Sequence, residues 1–298
     1  MQALEGVGVA MITPFTPSGS IDYPALERLV MGYCETIDYL VVLGTTAETA
    51  TLSKTEKQEV LRFVAKINAG RLPLVVGIGG NNTAAVVEEL VTTELEGYSA
   101  ILSVCPYYNR PNQEGIYHHY SALAKATPLP LILYNVPSRT ASTIENTTCL
   151  RLQKDFDVII GIKDARGDMA QAVDLIAKSS TDFMVISGDD HTALDLVSNG
   201  GKGVISVIAG AYPSYFTRLI HNGMNQALPE AVNQLQSLLP LIDLLFEEGN
   251  PTGLKALLHA QGHCQNILRL PLVPASAHLY ARIEAAHGRM NARVNPVK

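Results

Sequence analysis

The early part of the chain alternates between two kinds of apolar pattern. Short, near-continuous aliphatic and β-branched runs recur at residues 8–15, 39–44, 72–79, 100–105, 130–136, 158–165, 183–188 and 203–210. A strand with one wet face would alternate apolar and polar positions. A run apolar at almost every position predicts a parallel strand covered on both sides. Between these runs lie amphipathic stretches at 22–36, 82–96, 112–125, 143–154, 168–178 and 191–199. A further helix is predicted after Ser53, which with Glu56 forms a capping box ahead of Val60, Leu61 and Val64. Strand and helix alternating eight times predict an α/β fold, a (β/α)8 TIM barrel. A doubly wound open sheet is the competitor. It would usually carry a Gly-rich dinucleotide turn after its first strand, where this chain has Thr13-Pro14-Phe15.

Beyond Gly210 the strand pattern stops. Helices are expected at 212–221, 227–248, 252–261 and 276–286, with Pro271 and Pro274 breaking the chain, and a frayed polar tail at 288–298. The division expected is a barrel over residues 1–223 and a helical region packed beside it over 224–298.

Composition narrows the function classes. Of 298 residues, 47% are apolar and 17% charged, which suits a large core and excludes a disordered chain. The net charge of -6 argues against nucleic acid or an anionic membrane as partner, since both need a clustered basic surface. No run approaches the ~18 apolar residues of a membrane span. Glu5 is the first charge and Arg28 the first basic residue, so no secretory signal is expected. Cys34, Cys105, Cys149 and Cys264 form no CxxC pair, which fits a reducing cytoplasm.

In a barrel the chemistry gathers at the C-terminal ends of the strands. There the chain carries Gly44-Thr45-Thr46-Ala47-Glu48, Pro106-Tyr107-Tyr108-Asn109-Arg110-Pro111, Tyr134-Asn135-Val136-Pro137-Ser138-Arg139-Thr140, Lys163-Asp164 and Ser187-Gly188-Asp189-Asp190. Lys163 is the sharpest signal, because it ends an otherwise apolar strand. A solvent-exposed lysine has a pKa of ~10.4, which leaves about one amine in two thousand neutral at pH 7. An enclosed apolar pocket can supply the ~4–5 kcal/mol that separates such an amine from neutrality. A neutral amine there suits Schiff-base chemistry on a carbonyl substrate; the alternative is a strand-end lysine reaching solvent or pairing with Asp164. Thr45 and Thr46 offer hydroxyls and backbone N–H groups to a small carboxylate or phosphate, or else cap the next helix. Tyr134 and Tyr108 can shuttle a proton or simply pack. Arg139 can take a carboxylate bidentately or stand solvated in its loop.

Other candidates are weaker. His259 and His263, with Cys264 beside them, lack an HExxH context, so no metal site is expected. Asp189-Asp190-His191 reads as a helix start, where an aspartate caps. The Ile78–Thr83 stretch is too generic to read as a phosphate loop.

Taken in order and spacing, these five motifs resemble the dihydrodipicolinate synthase family of pyruvate-dependent class I aldolases, over essentially the whole chain. The resemblance implies that Lys163 forms an imine with pyruvate. It implies that Thr45 and Thr46 hold the pyruvate carboxylate, with Thr45 also in a proton relay. Tyr134 would be the acid/base group, and Tyr108 would complete the relay from a neighbouring subunit. Arg139 would bind the carboxylate of L-aspartate 4-semialdehyde, and Gly188 and Ile205 would line the pyruvate pocket. The assembly implied is a homotetramer, a dimer of dimers, working without a cofactor or metal in lysine and diaminopimelate biosynthesis. N-acetylneuraminate lyases and 2-keto-3-deoxy sugar acid aldolases share the lysine and the tyrosine. They typically lack the arginine and carry Ser-Thr where this chain has Thr45-Thr46. A catalytically silent binding barrel is the rival from another class, and it has no need of the amine.

Two departures from the family stand out. Ala47 replaces the usual glycine of the threonine motif, so a positive φ there would strain it. Feedback-sensitive members carry a glutamate where this chain has Ala85 and histidine near Lys57. With Lys54 and Lys57 present and no carboxylate at 85, weak or absent inhibition by lysine is expected.

Overall fold

The computed structural model describes residues 4–294. Eight parallel strands close into a barrel in chain order: β1 (Gly6–Ala10), β2 (Tyr39–Val42), β3 (Leu74–Gly77), β4 (Ala100–Val104), β5 (Leu131–Asn135), β6 (Ile159–Asp164), β7 (Met184–Ser187) and β8 (Gly203–Ser206), the last pairing with β1. The helices are α1 (Tyr23–Tyr33), α2 (Lys54–Asn68), α3 (Thr83–Thr92), α4 (Gln113–Ala126), α5 (Pro137–Thr140), α6 (Asn146–Asp155), α7 (Met169–Lys178), α8 (Ala193–Ser198), α9 (Pro213–Met224), α10 (Leu228–Glu247), α11 (Thr252–Ala260) and α12 (Ala277–Val294).

The strand runs are apolar throughout because alternate residues enter two different cores. Val7, Val9, Leu40, Val42, Val76, Ile101, Leu133 and Ile162 pack toward the helices. Ala10, Tyr39, Val41, Val75, Leu102, Ile132, Tyr134, Met184, Ile186 and Ile205 form a separate cluster that fills the barrel. Gly8 makes this filling possible: a Cβ there would lie 2.2 Å from the Tyr39 ring. Local signals place the helices as expected. Ser53 accepts from the Glu56 N–H at 3.2 Å and donates its own N–H to the Glu56 carboxylate at 2.9 Å, the reciprocal box. Asp22, Asn82, Asn112 and Asp168 cap α1, α3, α4 and α7 through their side chains.

Three expectations need correcting. The first strand ends at Ala10 rather than running to Phe15. Pro14 has no N–H for a ladder, and Phe15 bridges antiparallel to Ile21 instead. The chain after Gly288 does not fray within the described residues, because α12 runs to Val294. Leu279, Ile283, Ala286 and Met290 recur at helical spacing, are buried, and carry the helix past Gly288; residues 295–298 of the expected tail lie outside the described residues. Finally, neither Asp189 nor Asp190 caps α8, whose N-cap is Thr192. Asp190 is buried and reaches across to the loop after β8, accepting from the Val207 and Ile208 N–H groups at 3.1 and 2.9 Å. Among the described residues no helix is long and apolar enough to cross a membrane.

Candidate active site

The alternation of β6 decides where its two charged residues point. Ile162 belongs to the outer core, so Lys163 turns into the barrel and Asp164 turns out toward the helices. Asp164 does not pair with Lys163. Its carboxylate is held by the Arg166 guanidinium at 2.6 Å, and Arg166 also donates to Asn146. Lys163 is left in the barrel mouth at 7% exposure. Its register partner on β5 is Tyr134, and the Lys163 Nζ lies 4.2 Å from the centre of the Tyr134 ring.

Gly188, at the end of β7, gives this amine its room. A Cβ there would stand 2.7 Å from the Ala165 Cβ and 2.9 Å from the Lys163 Cε. Ile205 on β8 is buried in the same inner cluster as Tyr134. The loop after β8 is anchored by Asp190, whose carboxyl is pushed above the usual range by burial.

Thr45, Thr46 and Ala47 form a tight turn after β2, with Thr45 exposed and Thr46 buried. Ala47 lies in that helical turn, and the left-handed residue is its neighbour Glu48 (φ 54°). Alanine at 47 therefore carries no positive-φ strain. The turn is tied down on several sides. The Thr13 hydroxyl donates to the Ala47 carbonyl at 2.8 Å, and Thr49 donates to the carbonyls of Leu43 and Gly44. Asn250, from the segment between α10 and α11, donates its amide to the Thr46 hydroxyl at 2.9 Å. The Asn250 carbonyl accepts from Arg139 at 3.1 Å. One residue from the helical region thus touches both groups expected to meet carboxylates. Its own side-chain oxygen is buried without a partner.

The predicted site residues Lys163, Tyr134, Gly188 and Ile205 come together inside the barrel, while Thr46 and Arg139 meet through Asn250. Tyr108 stands apart, 88% exposed on a loop where it holds φ 72°. His259 is engaged with the Tyr280 hydroxyl at 2.8 Å. Sequence reasoning missed Asn250, together with the partners of Glu48. The only sequence hint is polar residues, Asn250 and Lys255, set in an apolar helical region.

The sequence model of the Dihydrodipicolinate synthetase family matches residues 3–287. The chain belongs to this family. The family's members are aldolase-type lyases, and this chain is an enzyme of that kind. The 4-hydroxy-tetrahydrodipicolinate synthase of Flavobacterium psychrophilum is 50% identical over 285 residues, covering 95% of this chain and 97% of that protein. The solved dihydrodipicolinate synthase of Thermotoga maritima superposes with a TM-score of 0.93 at 36% identity, over 96% of this chain and 98% of that one. The Acinetobacter baumannii dihydrodipicolinate synthase, described as chloride inhibited and complexed with pyruvate, superposes at 0.92 with 37% identity, over 95% and 97% of the two chains. The threonine turn, Tyr134 and Lys163 stand at or just beyond the C-terminal ends of β2, β5 and β6.

Proposed function

We propose that this chain condenses pyruvate with L-aspartate 4-semialdehyde, as a 4-hydroxy-tetrahydrodipicolinate synthase. The observation that carries the reading is the Lys163 amine, buried at the barrel mouth 4.2 Å from the Tyr134 ring centre, with Gly188 leaving space beside it. The amine adds to the pyruvate ketone and water leaves, forming the iminium. The iminium nitrogen draws electrons, so a methyl proton is lost to give the enamine, and no other electron sink is used. Tyr134 moves the protons, with Thr45 and the Tyr108 of a neighbouring subunit extending the relay. Thr45 and Thr46 hold the pyruvate carboxylate, and Gly188 and Ile205 shape the pocket around it. The enamine carbon attacks the aldehyde of the second substrate, whose carboxylate rests on Arg139. The semialdehyde's own amine then displaces Lys163 from the iminium carbon, which closes the ring and restores the free enzyme.

The 88% exposure of Tyr108 supports its delivery to a neighbour's site, while the dimer of dimers rests on the family resemblance. The four free thiols suit a cytoplasmic enzyme. The helical region 224–298 is read as a brace for the barrel 1–223. Borohydride reduction in the presence of pyruvate should trap an adduct that Lys163→Ala abolishes; no adduct in the unaltered protein sinks the mechanism and favours the silent barrel. Arg139→Ala should lower turnover on aspartate semialdehyde at least tenfold, by the arithmetic of one charged hydrogen-bonded contact worth about 1.5–3 kcal/mol. It should leave pyruvate trapping intact. Cleavage of N-acetylneuraminate in preference to the condensation would assign the chain to the sugar acid branch.

A further inference from the structure

A second lysine is more deeply buried than Lys163 and has no place in that chemistry. Lys255 on α11 is fully buried, and its Nζ lies 2.5 Å from a carboxylate oxygen of Glu48, whose side chain is also fully covered. The contact is an ion pair without aligned N–H···O geometry. The Lys255 amine donates instead to the Ile267 carbonyl at 2.9 Å, and it sits 4.1 Å from the centre of the Phe15 ring. The other Glu48 oxygen accepts the Arg269 N–H at 2.9 Å. Glu48 immediately follows the Thr45–Ala47 turn and holds the left-handed conformation that lets a second turn, Thr49–Thr51, start at once. Its N–H closes the first turn on the Thr45 carbonyl at 3.1 Å, and its carbonyl closes the second on the Thr51 N–H at 2.9 Å.

A non-glycine residue in this region is strained and persists only where its surroundings over-determine it. A buried ion pair adds little net stability against an apolar pair of the same shape, so its retention calls for another role. Here the pair links a strained hinge between two turns to the helical region more than two hundred residues away.

We propose that Glu48 and Lys255 are positioning residues for pyruvate: their buried ion pair fixes the backbone of the Thr45-Thr46 turn so that it presents its hydroxyls and N–H groups to the carboxylate. The inference rests on the aldolase reading, and its test separates the two. Burial lowers the pKa of Lys255 against the pull of Glu48. In Glu48→Gln the amine keeps its bond to the Ile267 carbonyl and meets an amide oxygen that can still accept from it, so this variant is expected to fold. Lys255→Met leaves a lone buried carboxylate and should cost more stability. The double variant Glu48→Gln/Lys255→Met removes both charges and should recover much of that loss.

Positioning predicts a KM for pyruvate raised about tenfold, equivalent to about 1.4 kcal/mol of binding, in Glu48→Gln and in the double variant alike. It predicts kcat within about twofold and an unchanged KM for the semialdehyde. Borohydride trapping at saturating pyruvate should reach completion in both. A merely structural role predicts that KM for pyruvate returns to the wild-type value as melting temperature recovers. A double variant with restored melting temperature and unaltered KM for pyruvate overturns the proposal, as does a Glu48→Gln enzyme with unaltered KM. Absence of a trapped adduct in the wild-type protein refutes the aldolase reading instead.

Discussion

Gly188→Ala offers a sharp test of how the catalytic amine is held. The methyl it adds would stand 2.7 Å from the Ala165 Cβ, 2.9 Å from the Lys163 Cε and 3.2 Å from the Lys163 Cγ. Carbon atoms in contact sit ~3.5–4.0 Å apart, so the first two gaps are short by about 0.6–0.8 Å. The lysine stem can rotate, but Ala165 has no rotamer to offer, and part of the strain must go into the β6 and β7 ends. Overpacking of this size costs about 1–3 kcal/mol of stability. Displacement of a reacting group by about 1 Å costs up to 10²-fold in rate. The expected variant is folded, melts several degrees lower, and loses about 30–100-fold in kcat/KM. Its single-turnover trapping with pyruvate should slow by the same factor, because imine formation is the first step that needs the amine in place. Gly32→Ala serves as the control. A Cβ at this position on α1 meets nothing within 4 Å, so it should stabilise by about 0.5–1 kcal/mol and leave the rate alone. A Gly188→Ala enzyme that traps pyruvate at the wild-type rate would refute the view that this glycine makes room for Lys163.

Two further outcomes follow from charged groups outside the pocket. His191 lies 3.3 Å from Asp189 and 2.7 Å from Asp243 on α10, and these carboxylates, Asp189 foremost, raise its pKa to about 9. With the folded value above the ordinary 6.5, its stabilisation is fully present below about pH 6.5 and is lost as pH rises through about 9. The pair is partly solvated, so the melting temperature should fall by only about 1–2 °C across that window, and a His191→Gln variant should not show the fall. L-Lysine should inhibit weakly or not at all. Lys57 holds the Glu89 carboxylate at 3.4 Å, and Ala85 offers an incoming ammonium nothing but a methyl group. Half-inhibition below about a millimolar, equivalent to binding by roughly 4 kcal/mol or more, would overturn that expectation.

What the sequence determined was local. Eight apolar runs could be read as parallel strands because each is buried on both faces, so every position reports its environment. Helix starts were legible where Ser53, Asp22 or Asn112 caps an adjacent N–H, within four residues of itself. Lys163 and Tyr134 were candidates because strand ends in a barrel converge, each with a plainer alternative left open, and Gly188 gained its role only from the family resemblance. The tertiary structure alone decided which of two neighbouring charges faces the pocket, since the partner of Asp164 is Arg166 rather than Lys163. It alone decided that the left-handed residue following the threonines is Glu48 and not Ala47. The ties of that turn to Asn250, Lys255 and Arg269 span 204 residues or more and leave no period in the chain. Spacing along a strand or helix encodes which face a side chain takes. Which two faces then meet depends on how α11 closes over the barrel, and no local pattern carries that information.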